Sequence, residues 1–278
     1  MTGPAERPPA PAPAPLPAET FDSHCHLDMI GRAVPEVLAQ ARAAGITRVV
    51  TVGCDLPSSR WAADTAAAHR DVFAAVAIHP NETARAADSA AERDKVLAEI
   101  SALAALPVVR AVGETGLDYY RDSAAPLIQA EWFRAHIEIA KQAGKALMIH
   151  DRDAHEDVLR ILAEEGPPEH VIFHCFSGDA AMARRCADAG YVMSFAGTVT
   201  FPTARQLREA AAVAPAEAIL VETDAPFLTP VPNRGRQNAP AQVAHTLRAV
   251  AQLKGMPAEE LCAAIAETGE RVFGQWQE

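Results

Sequence analysis

The chain has 278 residues, 49% of them hydrophobic, with a mean hydropathy of −0.02 and a formal net charge of −11. That length holds one large domain, for which a (β/α)8 barrel takes roughly 250 residues, or two small ones, with apolar material for a sizeable core. The charge argues against a generally basic surface for coating nucleic acid but leaves room for a locally basic cleft, and no apolar run approaches the ~18 residues of a membrane span.

Residues 1–18 are almost wholly proline and alanine. Such a segment forms neither a helix nor a strand ladder, so it is expected to be a disordered, polyproline-leaning tail ahead of one domain over 19–278. It carries no basic region followed by an apolar one, as a secretory signal would. Cys25, Cys54, Cys175, Cys186 and Cys262 are odd in number and lie in apolar or strand-like settings. They read as buried thiols of a reducing compartment, and the cytoplasm is the expected location.

From residue 20 onward, short β-branched or apolar runs recur at 20–26, 48–53, 72–79, 108–114, 145–150, 170–174, 191–195 and 218–224, giving eight predicted strands. Alanine-rich stretches with helical spacing separate them. In 129–144, for example, Ala130, Phe133, Ile137 and Ala140 share one face. Gly45, Gly144 and Gly190 read as helix stops before the second, fifth and seventh strands. After the eighth run come a Pro/Gly/Arg-containing loop at 227–240 and two helices, predicted near 241–253 and 257–273. Eight β-then-α units with strands buried on both faces predict an α/β fold, a single-domain TIM (β/α)8 barrel.

Barrels of this kind carry their chemistry at the C-terminal ends of the strands. Six of the eight runs close on a histidine or carboxylate: His24 with His26, then His79, Glu114, His150, His174 and Asp224. On a strand, residues two apart point the same way, so His24 and His26 converge while Cys25 turns away. The same parity pairs Ala77 with His79, Val112 with Glu114, Met148 with His150 and Ile172 with His174. Cys25 and Cys175 then fall on the packing side. The set holds more ligands than one tetrahedral ion needs and suits two ions sharing a carboxylate. Two ions roughly 3.5–4 Å apart can bind a hydroxide, polarise a scissile carbonyl or phosphoryl group and stabilise the leaving oxygen. Asp224 is placed to take the proton of the attacking water. Arg152, Arg234 and, more weakly, Arg236 are candidate clamps for phosphate. His79 is a candidate for substrate contact, and Tyr119 or Phe201 for stacking a base. Glu222 shares parity with Asp224 and is a candidate for orienting a ligand histidine. His69, His136, His155, His170 and His245 read as surface or packing residues.

HCHLD at 24–28, GETGLDYY at 113–120, IHDRDA at 149–154, HCFSG at 174–178, SFAGTVTF at 194–201 and ETDAPFLTPVPNRG at 222–235 resemble, in order, the signature blocks of the TatD family of metal-dependent deoxyribonucleases. The likeness runs over about residues 20–273 and places the chain among the amidohydrolase-like hydrolases. It implies one divalent ion on His24, His26, Glu114 and Asp224, and a second on Glu114, as the bridge, with His150 and His174. It further implies 3′→5′ exonuclease or endonuclease action on DNA with Zn²⁺, Mn²⁺ or Mg²⁺. The imidazole ligands favour the first two. The expected partner is therefore a nucleic acid, DNA or else RNA, with neither a membrane nor an obligate protein partner. One departure is Gly269, where the family often has asparagine; the proline-rich tail has no counterpart in the pattern. The competing readings are a hydrolase of another ester or amide on the same metals, such as an aminoacyl-tRNA ester or a lactone, and a non-catalytic binding protein. The second predicts a lost ligand, and none is lost.

Overall fold

The computed structural model describes residues 7–121 and 123–275. In chain order the elements are β1 (Thr20–Cys25), α1 (Val34–Ala43), β2 (Ile46–Val52), α2 (Leu56–Ala68), β3 (Val72–Val76), α3 (Thr83–Ala86), α4 (Ala90–Ala104) and β4 (Val109–Asp118). There follow α5 (Pro126–Ala143), β5 (Ala146–Arg152), α6 (His155–Glu165), β6 (Val171–Phe173), α7 (Ala180–Asp188), β7 (Val192–Phe195), α8 (Arg205–Val213), β8 (Ile219–Val221), α9 (Val243–Lys254) and α10 (Ala258–Phe273). All eight predicted strands are present, in the sheet order β1 to β8. Their ends differ by a few residues, so that His26, His79, His174 and Asp224 lie just beyond their strands. No described helix is long and apolar enough to cross a membrane. Two compact units result, Met1–Val50 with Cys175–Glu278, and Thr51–His174.

In the Thr51–His174 unit, β3 pairs with β4, β4 with β5, and β5 with β6, all parallel. Every residue of β3 and β6 is buried, as strands covered on both faces require. Helix α5 opens on Pro126 and stops at Gly144, whose φ of +62° closes the helix end. Of its predicted inner face, Phe133, Ile137 and Ala140 are fully buried and Ala130 half-buried. Asp55 caps α2 by accepting the Ser58 N–H at 2.8 Å. The register of β4 on β5 shifts between Val112 and Thr115, where Gly113 and Glu114 face the single residue Met148. This bulge sits at Glu114, the residue whose side chain meets His150 and His174. Two residues on, Gly116 has φ +136°, and a Cβ there would strike the His150 carbonyl of β5.

In the other unit, β7 pairs in parallel with β8, and β1 joins β8 beyond its end. His26 N–H donates to Ala225 O at 2.8 Å, and Asp224 N–H to His24 O at 2.9 Å. Helix α10 packs on β1 through Phe21 and Phe273, whose rings meet edge to face at 6.0 Å. Gly269 is explained by the same contact, because a Cβ there would enter the Phe21 ring. The asparagine that the sequence comparison leads one to expect has no space.

The proline-rich segment departs from its expected disorder. Residues 1–6 of that tail lie outside the described residues, but the rest is docked. Gln237 N–H donates to Pro8 O at 3.0 Å, and Gln237 O accepts from Ala10 N–H at 3.2 Å. Gln242 Nε2 donates to Pro11 O at 2.9 Å, Arg248 to Ala14 O and Pro15 O at 2.8 Å, and Leu16 N–H to Ala44 O at 3.0 Å. Pro13 and Leu16 are buried. A proline-rich chain has little conformational freedom to lose and exposes carbonyls without matching N–H groups. Donors on α9 and on the loop before it satisfy those carbonyls.

Candidate metal centre

Among the described residues, each unit carries a group of side chains able to hold a metal. In the first, β1 delivers His24 and His26, both buried, and the turn after β8 delivers Asp224. The two Nε2 atoms lie 3.3 Å apart, with Asp224 Oδ1 at 3.8 Å from His24 and 3.4 Å from His26. Asp224 adopts φ +52°, a left-handed conformation that aspartate tolerates better than most residues and that turns its carboxylate back toward the histidines. Its side chain keeps 16% exposure. Asn238 braces this turn by donating to Thr223 O at 2.9 Å.

Two buried acids lie close to this group. Asp22 accepts the Thr223 N–H at 2.9 Å and the Thr223 hydroxyl, tying β1 to the residue before Asp224. Burial pushes its carboxyl well above the usual range, against the pull of those hydrogen bonds. Asp22 shares parity with His24 and His26 but lies inside β1 rather than at its end, so no strand-end signal marks it. Glu222 accepts the Cys175 N–H at 3.0 Å and so braces the backbone after β6. Cys25 lies in the core and donates its thiol to Val50 O, the packing role expected of it.

In the Thr51–His174 unit the centre is Glu114, 3% exposed on β4. Its Oε2 lies 2.9 Å from His174 Nε2, 3.3 Å from His150 Nδ1 and 3.7 Å from His79 Nε2. The Cys54 thiol approaches Oε1 at 3.5 Å. Burial alone would raise the Glu114 carboxyl, but His174, His79 and His150 outweigh it and hold the group well below the ordinary range. Burial disfavours charge on His150 too, yet Asp118 and Glu114 raise its pKa. His136, read from sequence as a surface or packing residue, is fully buried. It accepts the Ile78 N–H at 3.3 Å and faces Thr115 Oγ1 at 2.9 Å, pinning the neighbours of His79 and Glu114. Burial pushes it down to about 3.

Both groups suit a divalent ion of the zinc or manganese type, since each offers imidazole nitrogen and carboxylate oxygen within a few ångströms. His24, His26 and Asp224 form one such set and His79, Glu114 and His150 the other, with His174 Nε2 2.9 Å from the same Glu114 oxygen. The candidate phosphate clamps lie on the exposed rims of their own units. The Arg152 guanidinium sits 4.0 Å over the Tyr120 ring, and that of Arg234 sits 4.2 Å over the Phe201 ring. Tyr119 donates its hydroxyl to Asp157 at 2.8 Å, whereas Tyr120 keeps 65% exposure. Arg236 reaches toward Pro9 O of the docked tail.

A family model described as TatD related DNase matches residues 21–274. The chain is 47% identical to the uncharacterized metal-dependent hydrolase TatD of Mycobacterium tuberculosis, over 91% of this chain and 97% of that one. It is 37% identical to the uncharacterized metal-dependent hydrolase YcfH of Escherichia coli K12, over 91% and 94%. The crystal structure of the TatD homologue YjjV from E. coli K12 superposes with a TM-score of 0.86 at 25% identity, covering 92% and 98%. The fold is the TIM-barrel class predicted from the strand pattern. An organophosphorus hydrolase from Deinococcus radiodurans shares that fold alone, with a TM-score of 0.61 at 16% identity, over 97% of this chain and 99% of that one.

Proposed function

This chain is a metal-dependent hydrolase of the TatD-related DNase family, and from that premise we propose that it hydrolyses phosphodiester bonds of DNA from the 3′ end, in the cytoplasm. The observation that carries this reading is the pairing of imidazoles with a carboxylate in both groups, His24, His26 and Asp224 in one and Glu114 among His79, His150 and His174 in the other. Two divalent ions held there supply Lewis acidity toward a phosphoryl oxygen and acidify water. The residues supply the rest. Asp224 is the partly exposed carboxylate of the two, so it can take up the proton of the attacking water and release it to solvent. The sunken Glu114 keeps its charge for metal binding. Arg152 and Arg234 are flat cations on exposed rims, suited to phosphate oxygens.

A second reading, hydrolysis of another ester or amide such as an aminoacyl-tRNA ester or a lactone, draws on the net charge of −11 and on the stacking of both arginines over aromatic rings. The test is degradation of an end-labelled single-stranded DNA by metal-stripped protein after Mg²⁺, Mn²⁺ or Zn²⁺ is returned. Metal-dependent 3′→5′ shortening that falls about 10²- to 10⁴-fold in Asp224→Asn is expected. DNA binding should also weaken steeply with salt, as contact with several phosphates requires. A folded, metal-loaded wild type that leaves the DNA intact would transfer the assignment to the ester or amide reading.

A further inference from the structure

Asp118 closes β4, 1% exposed, and none of the roles assigned above belongs to it. Its Oδ1 accepts the Tyr120 N–H at 3.0 Å and the Arg121 N–H at 2.9 Å. Its Oδ2 accepts from Asn81 Nδ2 at 3.0 Å and meets His150 Nε2 at 3.1 Å. A carboxylate has about four lone-pair positions, and four donors fill them here. Asp118 is therefore not a metal ligand. It is an acceptor that fixes the imidazole of one.

The consequence for His150 follows from imidazole chemistry. With Asp118 accepting at Nε2, that nitrogen carries the proton, and the lone pair of the neutral ring stands on Nδ1. Nδ1 is the atom 3.3 Å from Glu114 Oε2 and 3.4 Å from His174 Nε2. Asn81 also settles the third histidine. Its backbone N–H donates to His79 Nδ1 at 2.9 Å, which makes that nitrogen an acceptor and leaves the proton on Nε2. The 3.3 Å approach of His79 Nε2 to His150 Nδ1 is the donor–acceptor pairing that these two tautomers require.

We infer that Asp118, steered by the Asn81 side chain, is a positioning residue that commits His150 to bind a divalent ion through Nδ1, while the Asn81 backbone keeps His79 out of the ligand set as an Nε2–H donor toward substrate. His79 and His174 both face Glu114, and this clamp is what tells them apart. The inference rests on the metal-hydrolase reading of the site, and its test reads metal binding apart from DNA cleavage.

Metal-stripped wild type, Asp118→Ala, Asp118→Asn and His79→Ala are titrated with Co²⁺, followed by the visible spectrum of the bound ion and by competition with Zn²⁺. Asp118→Ala is expected to weaken binding at the Glu114 group about 10- to 100-fold and to alter the Co²⁺ spectrum. Asp118→Asn, whose amide oxygen still accepts from His150 Nε2, should recover much of that loss. His79→Ala should bind the ion as the wild type does. Wild-type affinity in Asp118→Ala, or a loss of the ion in His79→Ala, would overturn the inference. If Asp118→Ala does not fold, Asn81→Ala removes the side-chain half of the clamp and is expected to weaken Co²⁺ in the same direction; unchanged affinity there overturns the proposal equally. A wild type that binds no divalent ion overturns the metal-hydrolase reading and the clamp together. One that binds the ion without cutting DNA sinks the nuclease reading alone.

Discussion

In the unit built on β1 and β8, two buried imidazoles face one another at 3.3 Å, with a carboxylate that keeps 16% exposure. In the unit built on β3 to β6, a carboxylate only 3% exposed is ringed by three imidazoles, one of them steered from behind by Asp118. The difference teaches that the same ligand types can be held for opposite purposes. A carboxylate near water can exchange a proton with it. A sunken one among imidazoles has its charge balanced locally and is held in its ionised form, with its pKa well below the usual range.

The largest test of this contrast is a pair of isosteric substitutions compared by denaturant unfolding of metal-stripped protein. Glu114→Gln removes the charge around which His150 and His174 are arranged and is expected to cost about 3–5 kcal/mol, the range for breaking a buried ion pair. Asp224→Asn touches a partly exposed group and should cost under about 1 kcal/mol. Equal losses would erase the distinction between the two groups.

A comparable effect should appear with pH. His136 has a folded pKa of about 3 against an ordinary value of 6.5. Between those values the unfolded chain binds the proton and the folded chain does not, so stability rises with pH through this window and is lost as the pH falls. The full loss is on the order of 5 kcal/mol. His136→Gln should be less stable at neutral pH but should show a flatter acid slope, measured as unfolding midpoint against pH from 7 downward. An unchanged slope would remove His136 as the cause and weaken the idea that the β3 and β4 ends are pinned by a neutral ring.

A smaller change than that of Glu114→Gln or of the acid titration is expected at the docked tail of the β1 unit. Deleting residues 2–17 removes the burial of Leu16 and Pro13 and the acceptors of Arg248, and should lower stability by about 2 kcal/mol. Leu16→Ala should give part of that loss. No change in the unfolding midpoint would return the tail to the disorder its composition suggests.

The metal-capable residues were legible in the sequence because each closes a short apolar run, and a run of alternating neighbours is a local signal that survives without knowledge of partners. His24 with His26, Glu114, His150, His174 and Asp224 all declared themselves in this way, and the eight β-then-α repeats fixed the fold class for the same reason. The bulge of β4 against Met148 was not legible, because a register shift is a property of two strands rather than one. What the chain alone could not decide are the pairings between distant residues. Asp118 meets His150 across 32 positions, His79 meets His150 across 71, and Gln242 meets Pro11 across 231. Composition correctly says that a proline-rich tail builds no ladder of its own, but not that α9 and the loop before it will supply its donors. Which nitrogen of a histidine carries the proton, and whether a carboxylate binds or merely orients, depends on atoms brought within about 3 Å of it. Only the folded chain brings them there.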